Sequence, residues 1–170
     1  MSLSFYNSTV TLFTRQLANL SDVLAKGEAY AKAKNIDPLV LTSARLAPDM
    51  FPLSRQIQIA TDSIKGAGAR LAGVEVPSFA DTETTFPELQ ERIAKTAAFL
   101  KTLKPEQFEG AATRTITFKT GKTEHNFTGE DYLLKFVLPN SFFHLTTAYA
   151  ILRHNGVDLG KSDYLGNLAA

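Results

Sequence analysis

Residues 128–156 read TGEDYLLKFVLPNSFFHLTTAYAILRHNG, the most apolar helix candidate in the chain. Alternating steps of four and three mark one stripe: Leu133, Val137, Asn140, His144, Thr147 and Ile151. Asn140 and His144 thus stand where apolar side chains are expected, four residues apart on one helix face. Phe136, Phe142, Phe143, Tyr149 and Leu152 occupy the other faces, so the segment is expected to be packed on most sides, by the chain itself or by a second subunit. A helical bundle built around this segment, with a polar pocket in its wall, is the architecture implied.

The ends of this helix are marked by its chemistry. Thr128 is placed to cap it, and Glu130 and Asp131 put negative charge at its positive end. Arg153 and His154 put cations at the other end, before an Asn155-Gly156 stop. Pro139 cannot donate to the Lys135 carbonyl, so a kink is expected just before Asn140.

Three further helices follow from periodicity. Leu3, Tyr6, Val10, Phe13, Leu17, Leu20 and Leu24 form the seam of a first long helix, expected to run past Gly27 to Asn35. Asp37-Pro38 signals a short turn through Leu41, and Asp49 to Pro52 repeats that start signal. Leu53, Ile57, Ala60, Ile64, Ala67 and Leu71 form the second seam, stopped at Gly73. Thr85 and Glu88 form a capping box for the third, with Phe86, Leu89, Ile93, Thr96, Leu100 and Leu103 inside. Residues 113–118 and 123–127 alternate about a Thr120-Gly121 turn, which predicts a β-hairpin between helices three and four, its Ile116, Phe118 and Phe127 resting on the bundle. Residues 74–84 have no helical period and are long enough to return along a helix, so helices two and three can be parallel. The tail after Gly156 has no period and is expected to pack loosely.

Composition limits the functional classes. The chain has 170 residues, 44% hydrophobic and 21% charged, which fits a single domain over 1–170 with a sizeable core. With 18 basic and 17 acidic residues, net charge +1, it offers no basic run for nucleic acid or an anionic membrane. No cysteine is present, which excludes disulfides, thiolate metal sites and a thiol nucleophile. The N-terminal stretch lacks the pattern of a signal peptide, and residues 136–152 are too polar to span a bilayer, so a cytoplasmic location is expected.

Candidate polar groups elsewhere are few. Asp49, Gln56, Ser63 and Arg70 recur at seven residues along one flank of helix two; they either border solvent or face Asn140 and His144. Asp81 and Glu83 are read as solvated loop charges, and Gly66 and Gly68, inside a helix, as close-packing positions. His125 is placed on the hairpin and His154 at a helix end; neither joins a nucleophile motif.

Together, HLTTAYAILRHNG from His144, RLAPDMFPLSRQ from Arg45, the Ala69–Gly73 helix end and the PNSFFHLTTAYAILR stretch resemble a branch of the DinB/YfiT-like superfamily catalogued as a domain of unknown function. The resemblance covers nearly the whole chain. It implies a mainly α, four-helix bundle in up-down-down-up order. Members often bind a divalent metal through three histidines, and some are metal-dependent thiol transferases. By that resemblance His144 matches a metal ligand, Asn140 replaces a second, and helix two has no histidine, Gln56 or Asp49 being the nearest substitutes. The expectation is therefore a degenerate metal site. The reading preferred is a non-catalytic or small-molecule-binding homodimer, in which the polar pair is either structural or part of a small-molecule pocket lined by Asn140, His144, Gln56 and Asp49. The alternative is a metal-dependent enzyme in which His144 holds zinc, nickel or manganese.

Overall fold

The structure is a computed structural model that describes residues 4–168; Leu3, at the head of the first seam, and Ala169 and Ala170, in the tail, lie outside them. It is mainly helical, with one two-stranded antiparallel sheet. The long helices are α1 (Leu12–Lys34), α3 (Leu53–Ala72), α4 (Phe86–Thr102) and α6 (Leu138–His154); α2 (Pro38–Thr42), α5 (Gly129–Asp131) and α7 (Lys161–Leu165) are short. Among the described residues no helix is long and apolar enough to cross a membrane.

The seams read from the sequence form the core. Phe13, Leu17 and Leu24 of α1, all six apolar positions of the α3 seam, and Leu89 and Leu100 of α4 have no exposed surface. Asn35 ends α1 in a left-handed conformation, φ +54°, and Gly73 ends α3 at φ +71°. Thr85 and Glu88 make both bonds of the capping box at α4. At α3 the start signal differs: Pro52 occupies the cap position, and Asp49 lies exposed in the preceding loop with no capping role.

Contacts between the long helices have a definite order. Phe13 of α1 approaches Phe142 of α6, their ring centroids 6.2 Å apart, and Gly27 lies against Leu152. Ser21 of α1 donates to Gln90 of α4 at 2.7 Å, while Gly27 also faces Phe86. Arg92 of α4 meets Thr61 of α3 at 2.8 Å, and Gly68 lies under Leu100 and Leu103. Gly68 performs the close-packing role expected of it, since a Cβ there would stand 2.7 Å from Leu100 Cδ2.

Three local expectations are corrected. The strands are β1 (Thr115–Thr120) and β2 (Thr123–Thr128), so the hairpin loop is Gly121-Lys122. Gly121, at φ +58°, takes the first loop position, where a two-residue connection needs positive φ. Ile116 and Phe118 are buried and Phe127 half-buried against the core, as expected. Between α5 and α6, residues Tyr132–Val137 form a π-helix, a widened turn that ends just before Leu138 and Pro139. The missing proline N–H is accommodated by that change of helical register. The tail, finally, is fixed: Val157 and Leu159 are buried, Asn19 donates to the Tyr164 carbonyl at 3.1 Å, and Lys26 pairs with Asp163 at 2.7 Å.

Residues 74–84 are also tied down, and Asp81 and Glu83 are not free loop charges. Arg92, only 1% exposed, holds Asp62, Asp81 and Glu83 at 2.8, 2.9 and 3.0 Å and donates to the Ala80 carbonyl. Arg55 also binds Asp81, and Lys65 binds Asp62. Three cations and three carboxylates thus neutralise one another where the connection crosses α3 and α4. Burial alone would raise the Asp81 carboxyl, but the Arg55 bond and the Arg55 and Arg92 charges hold it below its usual range. The cluster is a structural clamp.

Candidate functional site

The seven-residue flank of α3 is a ladder of polar contacts to the last long helical segment. Gln56 meets His144 at 2.6 Å, Ser63 meets Ser141 at 2.9 Å, and Arg70 donates to the Tyr132 hydroxyl at 3.0 Å. Of the two sequence interpretations of this flank, solvated border or a row facing Asn140 and His144, the second holds at Gln56 alone; Ser63 and Arg70 face Ser141 and Tyr132 instead. Asp49, the fourth member, is exposed and away from the ladder.

The upper rung has a chemistry that can be worked out bond by bond. Gln56 is 1% exposed and donates from Nε2 to the Phe51 carbonyl at 3.0 Å. A carbonyl can only accept, so the amide nitrogen must face Phe51 and Oε1 must face His144. His144 Nδ1 therefore carries a proton and donates it to Gln56 Oε1. Nε2 is left as a bare lone pair. Among the described residues it meets no hydrogen-bond partner, and the His144 side chain as a whole is 8% exposed.

Burial and, secondarily, the positive charge of Arg55 lower the His144 pKa to about 4. The imidazole is neutral near neutral pH. Phe143 packs edge-on against it, the ring centroids 5.2 Å apart. Phe143 is more than half exposed and borders a pair that is itself buried, while Phe51 reaches the pair through its backbone carbonyl.

Asn140 lies one turn before His144 and is half-buried, without a bond to the pair. The structure thus brings Gln56 and His144 together and leaves Asn140 beside them and Asp49 outside. Among the described residues no three His, Cys, Asp or Glu side chains are grouped to hold a metal. One imidazole nitrogen, with the nearest amide oxygen already accepting a hydrogen bond, does not fit a three-ligand divalent site.

Sequence reasoning missed the parts played by Phe51, Arg55 and Ser141. Arg55 directly precedes Gln56, and Ser141 falls three residues before His144; both were open to the helical spacing that located the pair. Arg92 had a plainer signal, a charged residue between Leu89 and Thr96 on an otherwise inward-facing stripe.

A family model described as a domain of unknown function, DUF1993, matches residues 5–165. The chain belongs to this family. It is also 42% identical to a DinB family member protein from Shewanella denitrificans, whose crystal structure at 1.83 Å resolution superposes with a TM-score of 0.91 over 97% of this chain and 93% of that one. The DUF1993 chain is therefore a DinB-like protein, as its HLTTAYAILRHNG segment suggested. No curated protein matches it.

Proposed function

We propose that this DUF1993 protein is a cytoplasmic, single-domain, non-catalytic homodimer that binds a small molecule at a degenerate DinB-type metal site. The observation that carries the proposal is the Gln56–His144 bond, which uses one imidazole nitrogen within the protein and replaces a helix-two ligand by an amide. The scaffold is an up-down-down-up four-helix bundle. Supporting that order, α1 meets α6 from Phe13–Phe142 to Gly27–Leu152 and α3 meets α4 from Thr61–Arg92 to Gly68–Leu100, both in the same sense. The α3 ladder instead meets its partner in reverse, Gln56 with His144 and Arg70 with Tyr132.

Homodimerisation is supported by Leu39, Val40 and Leu46, large apolar side chains exposed on and after α2. A monomeric mass by light scattering at micromolar concentration would remove that part of the proposal.

A second reading, a metal-dependent enzyme with His144 as ligand to zinc, nickel or manganese, is favoured by the unbonded Nε2 alone. Elemental analysis of tag-free protein purified without chelator, beside His144→Ala, separates the two. The degenerate-site proposal expects less than stoichiometric metal in both proteins, even after metal is offered. Stoichiometric metal in the wild type that disappears in His144→Ala would replace it with the enzyme reading and call for thiol-transfer assays.

A further inference from the structure

We propose that α7 is a hinged strap that undocks from the folded bundle by turning at Gly160, with Asp163 as its latch, and that undocking opens the α1–α6 groove over Leu20, Val23 and Leu145. The hinge is located by where burial stops. Val157 and Leu159 are 1% and 2% exposed, and the Val157 N–H donates to the Leu152 carbonyl at 3.1 Å, so the chain is locked to the bundle as far as Leu159. Beyond it, no residue of α7 is buried. A Cβ at Gly160 would meet only Ser162 and Asp163, so the bundle does not pack on the turning point.

What holds α7 down is mostly polar and directional. Arg15 donates to the Leu165 and Asn167 carbonyls at 2.9 and 3.2 Å, and Asn19 donates to the Tyr164 carbonyl at 3.1 Å. On the α6 side Thr146 donates to the Tyr164 hydroxyl at 3.0 Å, and the Tyr149 ring meets the half-buried Tyr164 ring edge-on. Exposed contacts of this kind are exchanged for water at small net cost, whereas the bundle is held by apolar burial. The strap therefore opens well before the bundle unfolds.

Asp163 has two jobs. Its Oδ2 accepts from the Gly160 N–H at 2.8 Å, closing the first turn of α7, and its Oδ1 accepts from Lys26 Nζ at 2.7 Å, tying that turn to α1. One carboxylate thus couples formation of the short helix to its docking. Beneath the strap lies a cavity of about 10 Å³ lined by α1 and α6 residues, with Tyr164 its one wall from α7. That is the limit for a single water, so nothing larger reaches Leu20, Val23 or Leu145, each at most 4% exposed, while the strap is down.

The natural chain has no cysteine, so an introduced thiol reports the opening directly. Val23→Cys lies under the strap, and Val137→Cys, at a fully buried position on the segment before α6, is the control. An aromatic disulfide reagent is expected to label the first at least tenfold faster than the second, at a rate nearly independent of urea below the unfolding transition. Asp163→Ala should speed labelling at position 23 a further tenfold and leave position 137 unchanged; Lys26→Met, which cuts one of the two latch contacts, should speed it less. Equal rates at the two positions, or an Asp163→Ala rate unchanged at position 23, would overturn the proposal. Amide exchange of the unsubstituted chain covers the case in which Val23→Cys misfolds. The Gly166 N–H, bonded to the Ser162 carbonyl at 2.8 Å, should be protected at least tenfold less than the Val157 N–H on the other side of the hinge. Equal protection would show that the tail opens only with the bundle.

Discussion

Gln56 and His144, 88 positions apart in the chain, share a 2.6 Å hydrogen bond that ties α3 to α6 and fixes which imidazole nitrogen carries the proton. Gln56→Leu removes both the acceptor of His144 Nδ1–H and the donor to the Phe51 carbonyl. Leaving such groups unpaired in a buried place costs about 1–3 kcal/mol. Urea unfolding should show that loss for Gln56→Leu and a smaller further loss when His144→Phe is added, because the second change removes the stranded imidazole. Additive losses would mean the two residues are not coupled.

The pH dependence of stability has a definite sign. The folded His144 pKa, about 4, is below the ordinary value of 6.5. Above the ordinary value the ring is neutral in both states and the full stability is present. Between the two values the unfolded chain binds the proton more readily, so stability falls as pH is lowered. At ~1.4 kcal/mol per pKa unit the loss reaches on the order of 3 kcal/mol. His144→Phe should flatten this part of the curve, measured by urea midpoints across the range. Asp81 acts lower, its contribution being lost as pH falls beneath its ordinary 3.8 toward its depressed folded value.

Arg92 anchors residues 74–84 through Asp62, Asp81 and Glu83. Arg92→Leu leaves Glu83 without its cation, while the partly exposed Asp62 and Asp81 keep Lys65 and Arg55, and the lost charge-assisted bonds cost about 1.5–3 kcal/mol. Thermal unfolding should register the loss, and limited proteolysis should find new cleavage between Val74 and Thr84.

Gly68→Ala sets a helix-propensity gain of up to ~1 kcal/mol against a Cβ placed 2.7 Å from Leu100 Cδ2 and 2.9 Å from Leu103 Cδ1. Overpacking in a filled core costs about 1–3 kcal/mol. The net expectation is a lower melting temperature. An unchanged or higher one would show that the α3–α4 contact can yield.

The long helices were legible because their apolar spacing serves one purpose throughout. Ile57, Ile64 and Leu71 had only to be inward, and they are. The Gln56–His144 rung was half legible: spacing put each residue on a suitable face, but nothing local to either states which face meets which. Asp81 and Glu83 were misjudged because their partner, Arg92, is supplied by another helix, and a loop carboxylate looks the same in sequence whether solvated or clamped. The tail was misjudged for a similar reason. Tyr164 and Asp163 form too short a segment to show a period, and are fixed by Asn19 and Lys26 of α1.

The protonation state of His144 tests the central claim most directly, and nitrogen-15 NMR of the ring reports it. At about pH 5.5, where an ordinary histidine is mostly charged, His144 should be neutral, with its proton on Nδ1 and a bare Nε2. A charged ring at that pH, or a proton on Nε2, would contradict the bond to Gln56 and the site built on it.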